Sequence, residues 1–274
     1  MPQNAHSPLS LATWNVNSIR ARIDRVVDWI ERSDVDVLAM QETKCKDSQF
    51  PFERFEKIGY EVAHFGLNQW NGVAIASRVG LDDVERAFPG MPGFAKDPEA
   101  EQAQEARAIS AVCGGVRVWS LYVPNGRELT DRHYPYKLEW LDRLRSYAQK
   151  QLADDAGVRL AMVGDWNVAP LDEDVWDMEF FEGKTHVSAP EREAFDAFEA
   201  AGYKEITRGF TPGPGVYTYW DYTQLRFPKK QGMRIDFQVV SPALAERAAG
   251  AEIDRDERKG NGASDHAPVI VRFE

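Results

Sequence analysis

The chain has 274 residues, of which 43% are hydrophobic and 28% charged, a balance that buries a full core and excludes both disorder and a fibrous repeat. Its length fits one large α/β or β-rich domain. The formal charge of -11 argues at first sight against a polyanionic partner, yet carboxylates gathered round a hard cation are offset by that ion, so their placement matters more than their number.

Cys45 and Cys113 stand far apart in no CxxC pattern, which excludes a disulfide framework and a thiolate zinc site. No run approaches the roughly 18 apolar residues of a membrane span, and the start of the chain lacks the basic flank and apolar stretch of a secretory signal. A cytoplasmic protein is expected. Residues 1–8 read as a disordered tail and 9–274 as a single domain.

A strand is predicted over 9–14, then helical spacing at Ile19, Ile23, Val26, Val27 and Ile30, then a second strand over 35–40. Strands at 60–64 and 72–76 come next. The Pro-, Gly- and acid-rich stretch from Phe88 to Glu105 reads as a loop inside the domain, since strand signals flank it on both sides. Strands at 108–113 and 116–122 lead to a helix spelled by Tyr134, Leu138, Leu141, Leu144 and Ala148, then to a strand over 158–163 and a helix over 191–201. Strands at 217–222, 235–240 and 267–273 close the chain. Helices so few and so irregularly placed exclude a purely parallel doubly wound sheet; the pattern predicts an α/β sandwich of two packed sheets with helices outside.

Short motifs fall at or near the ends of these strands. WNVNS carries Asn15 and Asn17 where the first strand meets the first helix, and alone it reads as a helix cap by Asn17 or Ser18. Glu42, in QETK, is a cation ligand or equally the first polar residue of a loop. In GDWN, Asp165 and Asn167 form either a Gly-Asp turn or a base beside an orienting amide. Asp236 interrupts the apolar strand RIDF, where a buried carboxylate needs a partner, Arg234 or another group. His266, one of five histidines, follows Asp265 and opens the last strand. Together Asn15, Glu42, Asp165, Asn167, Asp236, Asp265 and His266 supply oxygen ligands for Mg²⁺, one imidazole beside carboxylates, and orienting amides. That is the equipment of metal-assisted phosphoester hydrolysis. With no P-loop, no GxGxxG after a strand and no GxSxG elbow, nucleoside-triphosphate, dinucleotide and serine-hydrolase chemistries drop away.

The ordered set TWNVNSIRAR, LAMQETK, LYVPNG, MVGDWNVAP, YTYWDY, MRIDF and SDHAPV closely resembles the exonuclease III family of the endonuclease, exonuclease and phosphatase superfamily, from Leu9 to Glu274. The resemblance implies a four-layer α/β sandwich, two mixed sheets packed face to face with flanking helices. It implies a Mg²⁺-dependent DNA repair nuclease, with Mn²⁺ as a substitute ion, that cuts on the 5′ side of abasic sites in duplex DNA. It also implies action as a 3′ to 5′ exonuclease and 3′-phosphatase or phosphodiesterase. By the same resemblance Glu42 is the principal metal ligand with Asn17 and Asp265 close to the ion, Asn15 supports the catalytic groups, and Tyr122 touches the phosphate or leaving group. Asp165 and Asn167 activate and orient water, Asp165 being taken as the base, and His266, held by Asp236, binds the scissile phosphate as imidazolium. Relatives carry Asp at Asn17, Trp at Met233, and Phe or Trp at Tyr219; these departures bear on the balance between abasic-site cleavage and exonuclease action. The implied setting is a monomer on duplex DNA with abasic sites or 3′ ends, away from membranes, in the cytoplasm and on the nucleoid if the source is bacterial. A phosphatase or phosphodiesterase of the same superfamily, acting on a lipid or inositol phosphate, is the alternative.

The stretch TQLRFPKKQGMRI holds Arg226, Lys229, Lys230 and Arg234 with no acid, preceded by Tyr217, Tyr219, Trp220 and Tyr222. It is a solvated loop or, counting the resemblance, a surface that tracks a nucleic-acid backbone and stacks on bases. Tyr219, Trp220 and Met233 are then expected to wall the pocket for the abasic sugar, with Lys44, Arg78 and Arg127 extending the basic strip.

Overall fold

The computed structural model describes residues 8–274; apart from Pro8, the expected tail lies outside the described residues. The strands are β1 (Leu9–Asn15), β2 (Val37–Gln41), β3 (Glu61–Phe65), β4 (Val73–Ser77), β5 (Asp82–Arg86) and β6 (Ala108–Cys113). They continue with β7 (Val116–Tyr122), β8 (Leu160–Asp165), β9 (Lys204–Glu205), β10 (Asp236–Val240), β11 (Ala248–Ile253) and β12 (Val269–Phe273). They form two six-stranded sheets, in the orders β11-β12-β1-β2-β4-β3 and β5-β6-β7-β8-β10-β9.

The sheets pack face to face because their strands are apolar on both sides. Leu11, Val37, Ala39 and Ile75 of the first meet Ile109, Val118, Ala161 and Val163 of the second in one buried cluster. Each outer face is covered by helices. Trp29 and Ile30 of the helix Ile19–Ser33 bury against Trp14 and Leu38, while Trp140 and Leu141 of the helix His133–Asp154 and Phe195 of the helix Ala189–Ala200 bury against Trp119 and Trp166. The result is the expected four-layer α/β sandwich.

Register decides where the polar residues go. In parallel pairs Asn15 faces Gln41 and Tyr122 faces Asp165; in the antiparallel pair of β8 and β10, Asp165 faces Asp236. The C-terminal ends of β1, β2, β7 and β8 and the N-terminal ends of β10 and β12 therefore meet at one edge of the sandwich.

Three strands escape the sequence pattern: β5, β9 and β11, each the outermost strand of a sheet. Edge strands carry charge and small residues rather than an apolar run, as DDVER and AAGAEI do. The strand expected over 217–222 is not formed. Tyr219 bridges Met233 and also His266, so this segment divides its pairing between two neighbours and builds no ladder with either. Among the described residues no helix is long and apolar enough to cross a membrane.

Candidate active site

Beyond β1 and β2 the backbone pairing runs on into the loops: Val16 N donates to Gln41 O (3.0 Å), Ser18 N to Glu42 O (2.7 Å) and Ile19 N to Thr43 O (3.1 Å). The helix-cap reading of WNVNS fails, because no side chain caps the helix at Ser18. These residues instead line up Asn15 and Asn17 beside Glu42. Asn17, Ser18, Glu42 and Lys44 all take left-handed backbone conformations (φ between 44° and 88°), which non-glycine residues hold only where the surroundings over-determine them.

Asn15 ties the sheets together at this edge. Its amide nitrogen donates to Glu42 Oε1 at 2.8 Å and to Asp165 Oδ2 at 3.0 Å. Asp165 reaches that position because Gly164 precedes it: a Cβ there would stand 1.9 Å from the Leu121 carbonyl oxygen, so only glycine lets β8 lie this close to β7. The backbone N–H of Asn167 donates to Asp165 Oδ1 (3.0 Å) and fixes the carboxylate.

Asp236 has His266, not Arg234, as its partner. Its Oδ2 lies 2.8 Å from His266 Nδ1 and accepts from Thr218 Oγ1 at 2.6 Å, whereas the Arg234 guanidinium donates to Thr211 O, Thr207 Oγ1 and Thr211 Oγ1 at 2.8–2.9 Å. Nε2 of His266 is left facing Asp165 Oδ2 at 3.8 Å.

Burial sets the ionisation of this group first. It pushes Asp165 up to about 7; His266 opposes the rise, and Asp236 and Glu42 add to it. For His266 burial disfavours the charged ring, but Asp236 and then Asp165 outweigh it and raise the imidazolium to about 10. Burial also opposes ionisation of Glu42, yet Lys44 and the amide of Asn15 together hold its carboxyl below the usual range. Tyr122, with Arg107 4.8 Å above its ring, is pushed well up by burial and then by Glu42. It is therefore a protonated donor at neutral pH.

Glu42, Asp165 and His266 each offer a ligand atom within 4.8 Å of the others. Lys44 Nζ lies 2.7 Å from Glu42 Oε2 and also bonds Asn17 Oδ1, while Asn17 Nδ2 donates to Asp265 Oδ1 at 3.0 Å. Two of the three expected metal ligands thus already share a cation. Carboxylate and amide oxygens gathered round one cationic position are the donor set of a hard divalent ion, so the residues fit such a metal.

Behind the site lies a network that sequence reading missed. Asn167 Oδ1 accepts from Asn125 Nδ2 (3.1 Å) and lies 3.1 Å from His186 Nε2, and its Nδ2 donates to Val123 O (2.9 Å). Burial, then Lys137, lowers His186 to about 3, so it is a neutral ring. Lys137, buried in the helix His133–Asp154, donates to Asn167 O at 2.5 Å and to Glu191. Asn125 stands within LYVPNG, and that was its only sequence signal.

The expected DNA-facing residues divide. Tyr219 is half-buried, its ring centroid 4.9 Å from that of His266, and Met233 exchanges backbone hydrogen bonds with it. Trp220 is corrected to an interior residue: it is 1% exposed, beneath Tyr217 and Phe227. Lys229, Lys230 and Arg127 are exposed and Arg226 is half-buried. Arg78 is also corrected, because β4 runs antiparallel to β2 and carries it to the opposite end of the sheet, where Asp34 and Asp36 bind it. An aromatic group that the sequence reading passed over, Trp176, Phe180 and Phe181, joins Tyr219 and Met233 around a pocket of ≈ 150 Å³.

Residues 12–266 match the Endonuclease/Exonuclease/phosphatase family. The chain is similar to exodeoxyribonuclease III of Haemophilus influenzae, 28% identical over 277 residues that cover 97% of this chain and 100% of that one. It also superposes on the 3′ phosphatase NExo from Neisseria bound to product DNA hairpin, with a TM-score of 0.89, 32% identity and coverage of 97% and 99%. An AP endonuclease from Archaeoglobus fulgidus gives a TM-score of 0.87, 34% identity and coverage of 97% and 99%. The chain therefore belongs to the endonuclease/exonuclease/phosphatase family, in its exonuclease III branch of hydrolytic nucleases.

Proposed function

We propose that this protein is a Mg²⁺-dependent DNA repair nuclease that hydrolyses the phosphodiester 5′ to abasic sites in duplex DNA and processes 3′ ends as an exonuclease and phosphatase or phosphodiesterase. It works as a monomer through one catalytic domain. The observation that carries this reading is the buried set at the common sheet edge, in which Asp165 is raised to about 7 while His266, paired with Asp236, is held as a cation.

Glu42 would hold the ion with Asn17 and Asp265, displacing Lys44 from between the first two. Bound there, a hard divalent cation supplies Lewis-acid charge to the phosphoryl oxygens. Asp165, fixed by the Asn167 N–H and by Asn15, takes the proton from the attacking water. His266 presents Nε2–H to the scissile phosphate and stabilises the charge that builds on it, with Asp236 fixing the ring through Nδ1. Asn167 accepts from Asn125 at Oδ1 and donates one amide hydrogen to Val123 O, so it orients water through its remaining amide hydrogen. Tyr122 donates from its phenol to the phosphate or the leaving oxygen.

The test is a duplex carrying one central tetrahydrofuran residue, incubated with Mg²⁺ and with excess chelator. Incision with Mg²⁺, its loss with chelator, and a fall of about 10²-fold in Glu42→Ala that high Mg²⁺ partly restores support the reading. Undiminished incision in chelator overturns it.

A further inference from the structure

The pocket beside Met233 has walls unlike those a bare sugar requires. Trp176 and Phe180 lie with ring centroids 4.9 Å apart, Phe180 and Phe181 5.1 Å apart, and Tyr219 connects this group to His266 at 4.9 Å. The Arg226 guanidinium lies 4.9 Å from the Trp176 ring and 4.7 Å from that of Phe180, and Lys184 Nζ lies 3.3 Å from the Phe180 ring. Asp221 and Gln231 complete the lining. Flat rings, cations against their faces and a carboxylate and amide at the rim make up the chemistry that takes a nucleobase by stacking and by its polar edge.

The platform is held in place before any ligand arrives. Val175 bridges Met233, Trp176 N donates to Gly232 O at 3.1 Å, and both oxygens of the buried Asp174 accept from Arg208 Nη2 at 2.8 Å. Asp177 then caps the turn that carries Phe180, accepting from Glu179 N and Phe180 N. Phe180 nevertheless remains 38% exposed, as a surface awaiting a partner would be. Rings fixed in this way lose little freedom on binding.

We propose that Trp176, Phe180 and Arg226 form a stacking subsite for the base of the 3′-terminal nucleotide, so that base-bearing 3′ ends are bound through it and baseless residues are not. The proposal rests on the nuclease reading above. Two duplexes separate them, identical except that the recessed 3′-terminal residue is adenosine in one and tetrahydrofuran in the other, each cleaved with Mg²⁺ by wild type, Trp176→Ala, Phe180→Ala and Phe180→Tyr. For the adenosine end, KM should rise about tenfold in each alanine variant with kcat within twofold, the fold-change that one base–aromatic stack is worth. Phe180→Tyr should restore it, and the tetrahydrofuran end should change less than twofold throughout. Equal losses on both ends, or no loss on the adenosine end, overturn the subsite alone. Wild type that hydrolyses neither duplex overturns the nuclease reading and the subsite with it.

Discussion

Asp236 Oδ2 stands 2.8 Å from His266 Nδ1, while Oδ1 of the same buried carboxylate has no hydrogen-bond partner among the described residues. A carboxylate with one oxygen idle in the interior is tolerated because the imidazolium opposite offsets its charge. Asp236→Asn removes that charge and its bond to Nδ1, the largest support of the imidazolium, and leaves Asp165 and Asp265 to hold the proton against burial. We expect kcat on an abasic duplex to fall about 10²-fold or more with KM near wild type and the circular dichroism unchanged. A variant that kept its kcat would reduce the pair to a structural contact.

The support behind Asn167 gives a separate prediction about stability. The side chains of Lys137 and Glu191 are both 0% exposed, and Glu191 also accepts from Thr185 Oγ1 (2.6 Å) and His186 N (2.9 Å). Lys137→Met strands the carboxylate without its cation, so urea unfolding should show a loss of about 3–5 kcal/mol. The double variant Lys137→Met with Glu191→Gln should recover part of that loss. If the double variant is no more stable than the single one, the missing charge is not the cause.

What the sequence reveals of this site depends on where each residue sits. Glu42, Asp165 and Asp236 border buried apolar strands, and a polar residue at such a boundary stands out; the register then brings them together without further information. Asn125 and His186 lie in irregular polar segments, so nothing in their surroundings marks them before the chain is folded. Trp176 and Phe180 are embedded in DEDVWDMEFFEGK, whose acids hide the aromatic group. Arg78 looked like part of a basic strip only because sequence does not show which end of a strand a residue occupies. Trp220 looked like a wall residue for a similar reason, since neither exposed nor buried faces can be assigned in a segment that forms no ladder.

His64, which bonds the side chain of Thr43 next to Glu42, supplies a pH dependence of stability. It is buried, with Nε2 2.8 Å from Thr43 Oγ1, and Nδ1 lies 2.9 Å from Asp47 Oδ1 without the alignment of a hydrogen bond. Burial lowers it to about 4 despite the pull of Asp47, against about 6.5 in an unfolded chain. Between those values the unfolded chain binds a proton that the folded one refuses. Stability therefore falls as pH drops through this window, by up to about 3 kcal/mol, and is unaffected by this group above it. Urea midpoints at pH 4.5 and 7.5 should differ less in His64→Gln than in wild type. An equal difference in the two proteins would assign the acid sensitivity elsewhere.

The last prediction concerns the balance between abasic-site incision and end degradation. Met233 is 8% exposed and packs with Val175, Phe181 and Tyr219 at the inner wall of the ≈ 150 Å³ pocket. A thioether on three rotatable bonds gives way to a ligand, so this wall accepts residues of different size and discriminates loosely. Met233→Trp replaces it with a rigid, larger plane that narrows the pocket. A nucleotide without its base gives up no stacking when its sugar leaves the helix and still fits a narrowed space, whereas an intact nucleotide sacrifices a few kcal/mol and needs room for its base. The ratio of kcat/KM for incision at a central tetrahydrofuran to that for release of a base-paired 3′-terminal nucleotide should therefore rise several-fold in Met233→Trp. Overpacking alone would depress both activities together and lower the urea midpoint. Proportional losses on the two substrates at an unchanged midpoint would show that this side chain does not select between them.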